Sequence, residues 1–369
     1  MKKILYILIL SLFLTGCFSY RDVNRVVFVT SIGIDLDEEN KPILYAEAFA
    51  SMRPTKEIAG GAETRVVFSC SGETIFEAIR NLNRTSALKL NYTQNKAIIF
   101  SEKAAKYGLD NFLDVLIRDQ ELLLRQYLYI TKIDLKELMK IKLNEETYIG
   151  IFLDDLAVNR PVRTKESLMR IDQFIIQRNL GSKVNALNTI ERMDDALNSR
   201  IAINKLAIMK DDKMVNDLND DETFFYNIVR NNIRAGYIRV SNPDNQSEVM
   251  TLEILKLNTK IDPVYNGNIM EVTVNVKTKT SVAEAKKSFH LSDDTEKKEL
   301  IRIAEQNIEK GIMDLYEEYR DIDIDIFNLQ KHINIKYPNA NIEDIFNNII
   351  LKIEADVFIE GSSDTINFY

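Results

Sequence analysis

The chain has 369 residues, 48 basic against 56 acidic side chains, a net charge of −8 at neutral pH and no tryptophan. That acidic balance does not suggest nucleic-acid binding, where a basic face would supply phosphate contacts, and it argues against a polybasic patch lying on anionic lipid. Two histidines, twelve glycines and two cysteines leave little material for imidazole chemistry, phosphate-cradling loops or disulfides.

Met1-Lys2-Lys3 is followed by an apolar run from Ile4 to Phe13 and then by Leu14-Thr15-Gly16-Cys17. A basic start, a short apolar core and a small residue before the cut is the pattern of an export signal. A spanning helix needs about 20 predominantly apolar residues, and this run is interrupted by Ser11, Thr15 and Gly16. Leu14 to Cys17 resembles the lipobox of bacterial lipoproteins, Leu-(Ser/Thr/Ala)-(Gly/Ala)-Cys. The resemblance implies a signal peptide over 1–16, cleavage before Cys17, and alkylation of its thiolate by a diacylglyceryl group. Stable anchoring takes two acyl chains, which a diacylated cysteine supplies without a transmembrane helix. An ordinary secretory signal with a chance cysteine is the alternative. With Cys17 acylated, Cys70 stands alone and no intramolecular disulfide can form in the mature protein. The acidic body is expected to stand off the membrane, held by its lipid.

After a short tether at 18–24, Val26 to Asp35 is nearly continuous apolar sequence, which indicates a strand buried on both faces. Asp37 to Asn40 makes a turn, Ile43 to Ser51 returns, 52–63 is a loop, and a third strand runs from Arg65 to Cys70. Ser71 can cap a helix through about Ala87, with Ile75, Ala78, Ile79 and Leu82 at helical spacing. Asn95 to Phe100 reads as a strand, Ser101 as the cap of a helix broken at Gly108 and resumed to Arg118, Arg125 to Thr131 as a strand, and Asp134 as a helix start. From Glu145 to about Ala196 the pattern is helical, with a stop at Gly181. Asn-rich 185–199 looks like a connection.

Ile201 to Lys210 and Met214 to Leu218 form two strands about a tight turn at Asp211-Asp212, followed by a helix at 220–232 and a strand at 233–240. Glu248 to Ile261 precedes a strand in which Met270, Val272, Val274, Val276 and Val282 alternate with polar residues, the pattern of a sheet with one wet face. Asp293 to Tyr319 is a long amphipathic helix with a stripe of Leu300, Ala304, Ile308, Ile312, Leu315 and Tyr319. Gly311 inside it costs about 1 kcal/mol relative to alanine. Helical stretches at 322–335 and 341–350 lead to a last alternating strand, 351–360, that fits the same sheet. The whole is an α+β chain of about three domains: 17–198, a small middle unit at 199–247, and 248–369 with an antiparallel sheet and its long helix.

The residues that could carry chemistry are few. His290 and His332 stand apart, outside any metal-ligand spacing, and no Gly-x-Ser-x-Gly elbow is present. Asp321, Asp323 and Asp325 resemble the start of a calcium loop, but Ile326 occupies the position that needs glycine and His332 the one that needs glutamate. Alternation of apolar residues between solvated acids is the simpler reading. Asp35, Asp37 and Glu38 belong to a hairpin turn. Cys70 shares a strand face with Val66 and Phe68 and reads as a small buried hydrophobe. Arg118, Asp119, Glu121 and Arg125 form either a functional charge cluster or, the favoured reading, a lock between a helix end and the next strand. No catalytic, cofactor-binding or metal-binding residue is assigned.

Several stretches together resemble one family. Gly16-Cys17-Phe18, the tether Arg21-Asp22-Val23-Asn24 and the strand ending Ser31-Ile32-Gly33-Ile34-Asp35 open the likeness. Gly72 with Glu77-Ala78-Ile79-Arg80, then Ala104, Lys106 and Gly108, and Arg118-Asp119-Gln120-Glu121 continue it. Ala207 to Val215 resembles a central hairpin in which Asn216 stands where glycine is usual; asparagine tolerates a left-handed backbone. Asp325-Ile326-Phe327, Tyr337-Pro338 and the strand to Gly361 close it, without the tryptophans often found near that end. The chain is similar to the lipoprotein C subunit of spore germinant receptors, the Ger(x)C family. The resemblance implies three α/β-type domains and a non-catalytic protein. It implies a place on the outer surface of the spore inner membrane, beside two integral-membrane receptor subunits that respond to small germinants. A solute-binding lipoprotein that captures a nutrient itself is the alternative, and would need a cleft between comparable lobes. A surface hydrolase is a third possibility and lacks a nucleophile motif.

Overall fold

The computed structural model describes residues 26–50, 65–158, 168–194, 199–233, 236–242, 248–267, 269–284, 294–338 and 349–362. Its first sheet is organised on β1 (Val26–Leu36), buried along almost its whole length because helices cover both faces. On one side β1 pairs antiparallel with β2 (Pro42–Ala50), which pairs antiparallel with β3 (Arg65–Ser71). On the other it pairs in parallel with the short β4 (Lys89–Asn91) and with β5 (Ala97–Ser101). Parallel pairing continues through β6 (Tyr127–Thr131) to β7 (Val184–Asp194). Then β8 (Ser199–Lys210) and β9 (Lys213–Asp217) complete nine strands as antiparallel neighbours.

Among the described residues, six helices accompany this sheet: α1 (Ile75–Thr85), α2 (Glu102–Tyr107), α3 (Asp110–Arg118), α4 (Leu135–Leu138), α5 (Ile149–Val158) and α6 (Ile171–Gln177). One face of the sheet packs Ile98, Leu128 and Ala207 against Leu82, Leu113 and Phe174 of α1, α3 and α6. The other packs Ile99, Tyr129 and Ile203 against Leu135, Ile149 and Leu153 of α4 and α5. Caps follow the chemistry of orphan N–H groups. Ser101 accepts from Ala104 N, Asp134 from Glu137 N, and Gly108 at φ 128° ends α2. For α1 the cap is Thr74, which accepts from Glu77 N, and Ser71 instead ends β3.

The stretch read as helix to 196 divides. It contains α5 and α6, but Val184–Asp194 is an interior strand, β7. Asparagine is depleted in strands, so Asn185 and Asn188 masked it; both are buried in the sheet. Asp211 and Asp212 adopt φ of 47° and 64°, the paired left-handed conformation of a type I′ hairpin. Asn216 lies within β9, so the turn needs no left-handed residue there.

The second sheet has the order β10 (Gly236–Ser241), β11 (Val249–Tyr265), β12 (Met270–Glu284) and β13 (Ile349–Ser362). The first two pairings are antiparallel, as the alternation in β12 requires, and β13 joins in parallel. The parallel return is possible because α8 (Asp294–Arg320) and α9 (Leu329–Lys336) lie in the crossover. Before β10, α7 (Asp220–Val229) packs on α8. The segment 199–247 is thus shared: β8 and β9 belong to the first sheet, while α7 and β10 pack with the second. The helix expected at 341–350 falls mainly outside the described residues; 349 and 350 open β13.

The stripe Leu300, Ala304, Ile308, Ile312, Leu315 and Tyr319 on α8 is buried as its spacing requires. The same helix covers both edges of its sheet. Glu305 and Glu309 each accept a backbone N–H of β13, from Val357 and Ala355 at 3.1 Å, and Asn307 donates to the Arg239 carbonyl of β10 at 3.3 Å. An edge strand left bare is a template for aggregation, and here both are occupied by side chains of one helix.

Gly311 has a packing reason: a Cβ there would lie 2.1 Å from Cζ of Phe225 on α7. In a free helix Gly→Ala gains about 1 kcal/mol, but overpacking costs about 1–3 kcal/mol. Gly311→Ala is therefore expected to lower the urea midpoint of unfolding, opposite in sign to helix propensity.

Candidate functional site

The most demanding polar arrangement in the fold surrounds Glu47 of β2, which is completely buried. Its Oε2 accepts from Thr30 Oγ1 at 2.9 Å, Ser31 Oγ at 2.9 Å and Gly150 N at 3.0 Å. Oε1 accepts from Ile149 N at 2.9 Å and lies 2.7 Å from Nε of Arg65 on β3. The Arg65 guanidinium in turn donates to the carbonyls of Ile141 and Met139. The carboxylate therefore sits at the N-terminus of α5, where free N–H groups and the helix dipole favour negative charge. Thr30 lies at a register shift between β1 and β2, and its carbonyl approaches α5 so closely that a Cβ on Gly150 would be 2.0 Å from it. Both carboxylate oxygens are met by protein donors and by the Arg65 charge, and the arrangement is a buried tie between elements.

A second cluster joins the two sheets. One face of β7 and β8 passes from Ile190, Ile201 and Ile203 under α4 and α5 to Val184, Ala186, Leu206 and Ile208, which belong to the core of the second sheet. At this border Ser182 donates through both N and Oγ to Asn328 Oδ1 at 3.2 Å, and Lys210 Nζ donates to the Ser182 carbonyl at 2.7 Å. Gly181 (φ 59°) has no room for a side chain, since a Cβ would fall 2.0 Å from Asn328 Oδ1. Arg178 ion-pairs with Asp212 of the β8–β9 turn, whose carbonyl accepts from Leu109 N at 2.9 Å. Arg230 donates to the Phe327 carbonyl at 3.3 Å.

Asp325 is buried at this joint, and its two oxygens accept from Leu329 N and Gln330 N at the start of α9. Burial pushes its carboxyl above the ordinary value, outweighing those donors and the Arg230 charge. Half-buried His332 is pushed down, first by burial and then by Arg230 and Lys331. Asp321 and Asp323 are exposed while Asp325 faces inward, so the three acids do not converge and Asp325 caps a helix instead of facing solvent. Among the described residues no group of three His, Cys, Asp or Glu side chains is placed to hold a metal.

Cys70 is half-buried on β3 beside Phe68, against the first core. Glu121 pairs with Lys89 of β4 at 2.6 Å, Asp119 Oδ1 accepts from Glu121 N, and Arg118 pairs back to Asp114, so part of this cluster locks the α3–β6 loop to β4. Cys17 and His290 lie outside the described residues. A shallow surface cleft of about 560 Å³ opens where the β1–β2 turn meets the start of α1. Asp37, Glu38, Glu39, Glu73 and Glu77 line it, and Lys41 within it pairs with Glu73 at 2.7 Å and Glu39 at 3.2 Å. The cleft lies on the rim of one sheet, not between two lobes. Among the described residues no helix is long and apolar enough to cross a membrane.

Neither Glu47 nor the Asn328 joint announced itself in the sequence. A glutamate among Ala46, Ala48 and Phe49 beside a doubly buried strand was the available signal for the first; the second unites positions about 146 residues apart.

Comparison with known proteins matches both halves. Residues 19–190 match the family model described as spore germination protein N-terminal domain, and 204–363 that described as spore germination B3/GerAC like, C-terminal. Spore germination protein GerQC of Bacillus cereus is 25% identical over 99% of this chain and 100% of its own length. Spore germination protein B3 of Bacillus subtilis (strain 168) is 24% identical over 88% of this chain and 87% of its own. The crystal structure of the GerBC protein superposes with a TM-score of 0.58, at 19% identity, covering 89% of this chain and 96% of that one.

Two outcomes follow from these clusters. Glu47→Gln removes one charge of a buried pair, a change that costs about 3–5 kcal/mol, and is expected to lower the urea midpoint accordingly. Asp325 binds its proton more tightly folded than unfolded. Its contribution is therefore fully present below its unfolded pKa and is lost as pH rises through the folded value. The stability of the unsubstituted protein relative to Asp325→Asn is expected to fall as pH rises above the ordinary aspartate value of 3.8, measured by urea unfolding at each pH.

Proposed function

Because the chain belongs to the Ger(x)C family of spore germination proteins, we propose that it is the lipid-anchored, non-catalytic subunit of a nutrient-germinant receptor. Cys17 is the acylated residue, and contacts with integral-membrane receptor subunits on the outer surface of the spore inner membrane are its means of action. The observation that carries this reading is the match of both family domains along nearly the entire chain, immediately behind Leu14-Thr15-Gly16-Cys17. The internal geometry agrees with a protein that works by surface contact. Its buried charges are spent on ties between elements, as at Glu47 and Asp325, and its cleft presents carboxylates already paired around a lysine.

Anchoring by two acyl chains is strong where a single chain is marginal. In a Cys17→Ser variant the thioether cannot form. The protein is then expected to carry no lipid and to keep its signal uncleaved at the 16–17 bond. Retention of the variant on membranes with cleavage at that bond would overturn the anchor. Deleting the gene is expected to abolish germinant-triggered dipicolinate release through that receptor.

A further inference from the structure

We infer that the end of the first sheet at which β1 begins lies against the lipid surface, with Leu124, Arg125 and Arg84 at the headgroups and the acidic β1–β2 turn pointing away. This rests on Cys17 as the anchored residue. Only residues 18–25 separate Cys17 from Val26, and an extended chain spans at most about 3.3–3.6 Å per residue. The start of β1 is therefore held within roughly 30 Å of the bilayer.

Register identifies what else occupies that end. Val26 pairs with Lys89 of β4, which follows the C-terminal turn of α1 and its Arg84. Ser31 is level with Ala97, and Ala97 with Tyr127 at the start of β6. Leu124 and Arg125, just before Tyr127, therefore lie on the Val26 side of that level, beyond the starts of β5 and β6. Their loop is held: the Leu124 carbonyl accepts from Asp172 N at 3.0 Å, and Glu121 pairs with Lys89. Leu124 is 39% exposed. Arg84 and Arg125 are exposed and have no carboxylate partner among the described residues. The acids nearby, Asp114, Asp119, Glu121 and Asp172, are engaged with Arg118, the Glu121 N–H, Lys89 and Arg170.

Charge is divided along the strand. At the far end of β1, the turn and the start of α1 gather Asp37, Glu38, Glu39, Glu73 and Glu77 around Lys41. An eleven-residue strand at about 3.3 Å per residue separates the two ends by roughly 35 Å, several Debye lengths at physiological salt. An anionic leaflet attracts the basic end and repels the acidic one. The net charge of the chain averages over this division, which is why composition alone pointed to a body standing off the membrane.

The absence of tryptophan makes a clean test. Protein comprising residues 17–369 with Cys70→Ser would be coupled through its Cys17 thiol to a maleimide lipid in vesicles of phosphatidylcholine and phosphatidylglycerol. One form carries Leu124→Trp and the other Glu38→Trp. The Leu124→Trp form is expected to show blue-shifted emission and several-fold stronger quenching by brominated lipid than the Glu38→Trp form. Adding Arg84→Glu and Arg125→Glu should remove most of that difference. Equal quenching of the two forms, or stronger quenching at position 38, would overturn the orientation. Because the coupling is chemical, this outcome is independent of whether the cell acylates Cys17, which the Cys17→Ser fractionation decides separately.

Discussion

A single carboxylate inside the first sheet sets the relation of four elements. Desolvating Glu47 costs several kcal/mol unless its lone pairs and charge are met. The fold meets them from β1 through Thr30 and Ser31, from α5 through two backbone N–H groups, and from β3 through Arg65. None of these partners can be supplied without the others in place. The irregularity in β1, the glycine at position 150 and the helix start at Ile149 are thus consequences of the same electrostatic requirement, and they fix how α5 lies over the sheet.

The two sheets are held together by shared packing instead of a linker. Leu206 and Ile208 emerge from the first sheet into the core of the second, and the Gly181–Asn328 contact leaves no room for a side chain between them. Close-packed interiors transmit displacement with little loss. A push on one sheet is therefore felt by the other. On the second sheet, α8 satisfies backbone groups on both edge strands, which guards an exposed pair of edges against pairing with other chains.

Membership in the germination family agrees with this economy of chemistry. The buried carboxylates of Glu47 and Asp325 serve as structural ties.

Most of the element order was legible along the chain, because periodicity reports which face is buried. The continuous apolar run of β1, the alternation of β12, the α8 stripe and the Asp211-Asp212 turn all follow from local pattern. The lipobox likewise lies in four consecutive residues, Leu14 to Cys17. Pattern failed where the neighbours that make a residue acceptable are distant. Asn185 and Asn188 lie in β7 because β6 and β8 pair its backbone on both sides against their local preference, and Gly311 is required by a ring from another helix. Glu47 became a tie only when a helix start from elsewhere in the chain was brought to it. Sequence by itself therefore determined most of the elements, which depend on near neighbours. Tertiary structure alone decided which polar side chains are buried and how the sheets share a core, since those depend on groups that only folding brings within a few ångströms.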